Sequence, residues 1–305
     1  MHKTIDVAAL IAVDWGTSSL RGAQLDAAGR VLEEIALPRG ILSVEAGGFP
    51  ALFESLFGAW QRESGAPCLI SGMAGSRQGW IEAPYCPCPA GFGELGRHLA
   101  WVEPGRIAIV PGLSVVEDGV PDVMRGEEVQ IFGALQLAGL SDGLCVLPGT
   151  HSKWARVQDG RVIGFRSYMT GEFYALLSRH SILARTLDAE APFDAPAFEA
   201  GVRRAQAGPS LLHLAFGTRT LALFETLPQA ALASYLSGLL IGEELRAQAL
   251  PAGSAQDILL IGSDTLTTRY ASALALLGLR SRAFGAEASW AGLHAIAQGM
   301  KGIPT

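Results

Sequence analysis

The sequence predicts an α/β protein built from two similar halves, on three observations. Apolar runs of strand length alternate with segments of helical periodicity along the chain. A strand-turn-strand-turn-strand meander at the start recurs about 135 residues later, each time with a small polar turn after its first strand. The 305 residues leave room for two domains of roughly 150 residues each.

In chain order, Val7 to Val13 reads as a buried strand that runs into Asp14. Leu20 to Asp26 and Arg30 to Leu37 alternate apolar and polar residues, and "DAAG" between them supplies a turn. Phe49 to Arg62 reads as a helix, and Pro67 to Ser71 and Arg106 to Val110 as strands. A further helix is expected from Glu127 to Leu140, with Gly126 before it and Gly139 near its end. The pattern then restarts. Gly143 to Pro148 is a short apolar strand, "GTHS" a turn, Lys153 to Gln158 a second strand, "DG" a hairpin turn and Arg161 to Tyr168 a third strand. The expected domains are 1–141 and 142–305, with the last helix free to pack back on the first. Two such halves facing each other would bring both polar turns to one central cleft.

Composition narrows the function. A chain 49% hydrophobic and 17% charged has ample core and is not a disordered one. The net charge of -6, with no Lys or Arg run longer than a pair, argues against nucleic acid as a partner and favours small-molecule chemistry. Cys68, Cys86, Cys88 and Cys145 do not make a zinc site, because Cys86-x-Cys88 is one residue short of the usual spacer and no His pair follows. They read as reduced thiols. The basic and apolar start, "MHKTIDVAALIAVDWG", is too short for a secretory signal, and no apolar stretch of about 18 residues offers a membrane span. A cytoplasmic protein without a membrane partner is expected; its oligomeric state is left open, a homodimer included.

The repeated turn carries chemistry of its own. Gly16 and Gly149 let a ligand approach the backbone, whose N–H groups can cradle phosphate oxygens, and Thr17, Ser18, Thr150 and Ser152 add hydroxyl donors. Asp14 suits Mg²⁺ held through water, since magnesium prefers oxygen ligands and keeps part of its hydration shell. The plainer reading is that Asp14 and the hydroxyls cap a turn, but the recurrence favours phosphate. The G-x-x-x-x-G-K-[ST] string of a P-loop does not occur. Of three lysines, Lys153 is the one away from a terminus; it either contacts phosphate or substrate or is a solvated charge on a strand edge. His151 either hydrogen-bonds substrate or closes the turn.

"VDWGTSSLRG" and "VLPGTHSKW" resemble the two phosphate turns of the sugar kinase, actin and heat-shock chaperone superfamily. "ILLIGSDTLTTRYASALALLG" is similar to its strand-glycine-helix adenosine segment. "SGMAGSRQGWIEAPYCPCPA", "MRGEEVQIFGAL", "LPGTHSKW" and "YMTGEFYALL" narrow the resemblance to the 2-dehydro-3-deoxygalactonokinases, over nearly the whole chain. The resemblance implies two ribonuclease-H-like (actin-like ATPase) domains and a phosphotransferase acting on an alcohol group. ATP and Mg²⁺ would serve it, and 2-dehydro-3-deoxy-D-galactonate would become its 6-phosphate. It places adenosine at Gly262 and Ser263. It also puts a catalytic base at the start of the helix after Gly126, where similar kinases carry an aspartate and this chain has Glu127 and Glu128. Glu127, directly after the glycine, is the first choice and Glu128 the alternative; the plainer role for both is to complement the helix dipole. A sugar acid calls for a fork of donors and hydroxyl partners, for which Arg77, Gln78, Trp80 and Glu82 stand on one side and Arg166, Thr170 and Glu172 on the other.

Two other classes remain in view. Within enzymes, the alternative is a kinase for another sugar or sugar acid. An actin- or chaperone-like regulatory ATPase would need extra subdomains for which 305 residues leave little space. A sugar-sensing repressor would need a helix-turn-helix ahead of the first strand.

Overall fold

The structure, a computed structural model, describes residues 8–250 and 256–300. The first half runs β1 (Leu10–Trp15), β2 (Leu20–Leu25), β3 (Val31–Leu37), α1 (Phe49–Ser64), β4 (Cys68–Gly72), β5 (Tyr85–Pro87), α2 (Phe92–Arg97), β6 (Ala100–Glu103), β7 (Ile107–Ile109), β8 (Gly112–Glu117), β9 (Val120–Met124) and α3 (Glu127–Ala138). The second runs β10 (Gly143–Leu147), β11 (Ser152–Gln158), β12 (Arg161–Tyr168), α4 (Thr170–His180), α5 (Ala195–Ala207), α6 (Leu211–Leu223), α7 (Gln229–Ala247), β13 (Ile258–Ile261), α8 (Asp264–Leu276), β14 (Ser281–Phe284) and α9 (Glu287–Met300). The expected strands and helices fall on these elements with their ends shifted by a few residues; Val7 lies outside the described residues.

Two sheets repeat one plan. The first has the order β3-β2-β1-β4-β7-β6 and the second β12-β11-β10-β13-β14. In each, a meander lies beside a strand parallel to its first: β1 with β4, and β10 with β13. The "DG" turn between β11 and β12 has positive φ at both residues, 50° at Asp159 and 68° at Gly160. Asp118 and Gly119 repeat that geometry between β8 and β9, as a tight hairpin of right-twisted strands requires. A small third sheet, β5-β8-β9, completes the set.

The chain divides into two compact units. One holds the residues up to Gly143, Ala155–Arg166 and those from Phe284 on; the other holds Leu144–Trp154 and Ser167–Ala283. The first unit's core lies on the β1-β4-β7 sheet, where Ile11, Val13, Ile70 and Ile109 meet Phe53 and Phe57 of α1. Those two aromatics sit one helical turn apart, facing the sheet, and Gly65 closes α1 in the left-handed conformation. The second unit's core joins Val146, Ile258 and Leu260 to Phe198, Ile241 and Leu274.

Within the first unit α3 and α9 approach at backbone distance. A Cβ on Gly133 would come within 1.8 Å of the Ala288 carbonyl oxygen, and one on Gly292 within 2.0 Å of that of Val129. Only glycine fits either place. α3, the helix that begins with both candidate base residues, is thereby fixed against α9.

Candidate active site

In the first unit the turn after β1 is closed by the Gly16 N–H donating to the Ser19 carbonyl at 2.9 Å. It is braced from outside by the Ile41 N–H on the Gly16 carbonyl (3.0 Å) and the Leu42 N–H on that of Thr17 (3.2 Å). A Cβ on Gly40 would lie 2.2 Å from Thr17 backbone, whereas one on Gly16 would meet nothing nearer than 3.4 Å. Gly40 is therefore demanded by packing and Gly16 is not. Thr17 and Ser18 are exposed.

Asp14, at the end of β1, is opposite Arg21 of β2 in the antiparallel register. Arg21 Nη2 donates to Asp14 Oδ2 at 2.5 Å, and Ser289 Oγ of α9 reaches the same oxygen at 3.2 Å. Three main-chain segments meet beside Asp14, at Gly72. Its φ is 91°, and a Cβ there would stand 2.7 Å from the Trp15 carbonyl oxygen and 3.5 Å from Asp14 Oδ1. Gly126, with φ of 100°, would bring its own Cβ to 3.0 Å from Gly72 Cα. Glycine at both places lets the start of α3 come up to the end of β1, so the structure brings Asp14 and the candidate base residues into one neighbourhood.

At that helix start the two glutamates differ. The Arg125 N–H donates to Glu127 Oε2 at 2.9 Å, and Glu127 is half-buried. Glu128 is fully buried, and both its oxygens lie within 2.9 Å of the Gly126 N–H. Burial, then the neighbouring charge of Glu127, pushes the Glu128 carboxyl up to about 8.

The 73–85 segment is divided in its roles. Arg77 Nε pairs with Glu82 Oε1 at 3.0 Å with both side chains well exposed, and Gln78 is exposed beside them. Trp80 turns inward: its ring centroid lies 5.3 Å from that of Phe53 and 6.4 Å from those of Phe49 and Trp15. A residue that the sequence reading passed over lies beneath this segment. The Arg125 guanidinium is 8% exposed, sits 4.3 Å over the Tyr85 ring, and donates from Nη2 to the Ala83 carbonyl at 2.8 Å. Arg166 pairs with Glu117, its Nε donating at 2.8 Å.

In the second unit, Gly149, Thr150, His151 and Ser152 form the turn into β11. A Cβ on Gly149 would meet nothing nearer than 3.8 Å. α4 lies against this turn. A Cβ on Gly171 would be 2.4 Å from the Gly149 carbonyl oxygen, and the Glu172 N–H donates to that of Thr150 at 3.0 Å. His151 Nε2 and Glu172 Oε2, both expected to face substrate, are 2.5 Å apart. Thr170 donates to the buried Glu244. Lys153 is buried, at 6% exposure, and is not a solvated edge charge. Gly262 sits where a Cβ would be 3.5 Å from the Pro148 carbonyl oxygen, so the candidate adenosine loop, which continues into exposed Ser263, adjoins the strand end before the turn.

No cluster of three or more His, Cys, Asp or Glu suited to a metal occurs among the described residues. A magnesium ion carried mainly by phosphates and water needs no such cage. Asp14 fits that lesser task, with both its hydrogen bonds on Oδ2 and Oδ1 beside the hollow that glycine leaves at position 72.

Paired sheets of this order, each with an open glycine turn after its first strand, define the fold class of the sugar kinases and actin-like ATPases. The activator of the 2-hydroxyisocaproyl-CoA dehydratase from Clostridium difficile, solved with bound ADPNP, shares the fold with a TM-score of 0.50 at 10% identity, over 97% of this chain and 98% of that one. Within this class the chain belongs to the 2-keto-3-deoxy-galactonokinase family, whose model matches residues 14–296. It is 36% identical to the 2-dehydro-3-deoxygalactonokinase of Escherichia coli K12 over 288 residues, which is 94% of this chain and 97% of that protein. A candidate 2-dehydro-3-deoxygalactonokinase solved from Sinorhizobium meliloti superposes with a TM-score of 0.88 at 39% identity, covering 96% of this chain and all of that one.

Proposed function

We propose that this protein is an ATP-dependent kinase that phosphorylates 2-dehydro-3-deoxy-D-galactonate on its terminal hydroxyl, giving the 6-phosphate in galactonate catabolism. The observation that carries the reading is the meeting of Asp14 and the start of α3 at Gly72 and Gly126, in a chain whose family phosphorylates this class of acid.

The first unit, in this reading, handles the sugar acid. Glu127 takes the proton of the terminal hydroxyl while that oxygen bonds to the γ-phosphorus of ATP. The bond from the γ-phosphorus to the bridging oxygen breaks, ADP leaves with the electron pair, and the proton remains on the glutamate. Arg77, Gln78, Trp80 and Glu82 supply the sugar-acid side. Gly16, Thr17 and Ser18 offer N–H and hydroxyl donors to phosphate. Asp14 would hold Mg²⁺ through water, and the ion would neutralise phosphate charge.

The second unit, in this reading, handles the nucleotide. Gly149, Thr150, Ser152 and Lys153 meet phosphate, Gly262 and Ser263 meet adenosine, and His151, Thr170 and Glu172 add substrate contacts. A cavity of about 70 Å³ beside Gly149, lined also by Gly171, Tyr174, Leu266 and Arg269, supports a nucleoside on this side of the turn. The cytoplasm, where ATP is plentiful, is the compartment this reading gives, and it fits four free cysteines and the lack of a helix long and apolar enough to cross a membrane among the described residues.

The test is ADP release against a panel of sugar acids and sugars. Turnover of 2-dehydro-3-deoxy-D-galactonate with kcat/KM at least tenfold above the gluconate-derived epimer and the uncharged sugars is expected; preference for an uncharged sugar would overturn the substrate.

A further inference from the structure

α7 carries a glutamate that the proposed chemistry does not use. Glu244 is 2% exposed, and three side chains from three separate elements donate to its carboxylate. Trp154 Nε1 of β11 reaches Oε1 at 2.6 Å, and Tyr270 OH of α8 reaches Oε2 at 2.8 Å. Thr170 Oγ1, at the first residue of α4, also reaches Oε2. The Tyr270 hydroxyl is in turn 2.9 Å from Ser152 Oγ. A buried carboxylate costs several kcal/mol of desolvation, and an apolar side chain of similar size would commonly fill such a place at lower cost. What the carboxylate adds is direction, because each donor is held at a fixed angle and distance.

The three tethered elements are those that bear the proposed nucleotide contacts. β11 begins at Ser152, straight after Gly149, Thr150 and His151. α4 begins at Thr170, and its Gly171 touches the Gly149 carbonyl. α8 follows Gly262 and Ser263. Thr170 lies in the wall of both neighbouring cavities, the one of about 70 Å³ beside Gly149 and Tyr270 and another of about 220 Å³ that reaches Glu244, Tyr168 and Phe173.

We propose that Glu244 is a positioning residue for ATP: through Tyr270 it holds Ser152 and the 149–152 turn, and through Thr170 it holds the α4 start against that turn. The inference rests on the reading that the second unit binds the nucleotide. It touches neither substrate itself, so its effect falls on ATP affinity and leaves the sugar acid alone.

Tyr270→Phe tests this with little risk to folding, since the ring stays and the hydroxyl that links Ser152 to Glu244 is lost; Glu244→Leu removes the whole junction. Each is measured for melting temperature, for both KM values and for binding of a fluorescent ATP analogue. A folded Tyr270→Phe with KM for ATP and analogue Kd raised about fivefold or more, and KM for the sugar acid within twofold, is expected. Unchanged nucleotide binding in folded Tyr270→Phe overturns the proposal, as does an equal rise in both KM values. If Glu244→Leu does not fold, Tyr270→Phe decides alone. A wild type that releases no ADP with any sugar acid sinks the substrate reading and leaves the analogue titration to judge this one.

Discussion

Arg21 meets Asp14 across the β1-β2 ladder with Nη2 2.5 Å from Oδ2, so one carboxylate oxygen is committed to an arginine. The other faces the glycine hollow at position 72. Asp14→Asn keeps the shape and an acceptor for Arg21 but removes the charge that a hydrated cation needs. The fold should hold, with a melting temperature within about 4 °C of wild type. The Mg²⁺ concentration for half-maximal rate should rise about tenfold or more and kcat fall about a hundredfold. A magnesium titration at saturating ATP checks this, and an unchanged half-saturation removes Asp14 from the metal's reach.

Glu127→Gln should lower kcat by 10²- to 10⁴-fold while both KM values stay within a few-fold, the pattern of a lost base. Glu128→Gln should keep kcat within about tenfold. Its carboxyl is buried and largely protonated near neutrality, so glutamine resembles the form already present. Single-turnover rates of the two variants separate these outcomes; an exchange of their phenotypes assigns the base to Glu128.

Glu128 also predicts a pH dependence of stability. Its carboxyl titrates near 4.5 in the unfolded chain and at about 8 in the folded one. Between those values the folded state holds a proton that the unfolded state has released, so stability falls as pH rises through this window and levels above it. Urea unfolding midpoints of wild type should decline relative to Glu128→Gln from pH 5 to pH 8, the two curves becoming parallel beyond. Parallel curves throughout would mean the carboxyl is ionised in the folded protein.

The glycines of the turns separate packing from ligand contact. Gly16→Ala and Gly149→Ala place a Cβ in open or ordinary surroundings and should leave unfolding free energy within about 1 kcal/mol of wild type. Both should raise KM for ATP about tenfold or more, because the methyl stands where phosphate approaches. Gly40→Ala, which drives a Cβ into Thr17 backbone, should instead lower the melting temperature. Wild-type KM for ATP in both turn variants would count against the phosphate role.

The two meanders were legible because β1, β2, β10 and β11 are apolar or alternating runs bounded by turn residues, and "DG" marks its hairpin by chemistry alone. The region from Tyr85 to Met124 was not read beyond one strand. β5 is three residues in a proline-rich stretch, too short to show a period. α7 escaped for the opposite reason: it is buried along nearly its whole length, so no polar stripe betrays the helical period. The site divided in the same way. Turn glycines and the Gly126-Glu127-Glu128 run declare themselves locally. Glu244 and Arg125 acquire their meaning from partners far along the chain, and a lone charge on a helix or beside a glycine looks like surface until those partners are known.

The discontinuity of the first unit sets an order of assembly. Its sheet is complete in chain up to Gly143, yet Ser289, which reaches Asp14, and Gly292, which fits against Val129, come from α9, after the whole of the second unit. A chain emerging from the ribosome can fold the second unit from contacts among its own stretch while the first still lacks a helix. Closing that gap joins segments well over a hundred residues apart, which makes it a late and slow event of high contact order. A growing polypeptide therefore has its candidate nucleotide half before the surroundings of Asp14 and α3 are finished, and it acquires a working carboxylate site only when synthesis is nearly over.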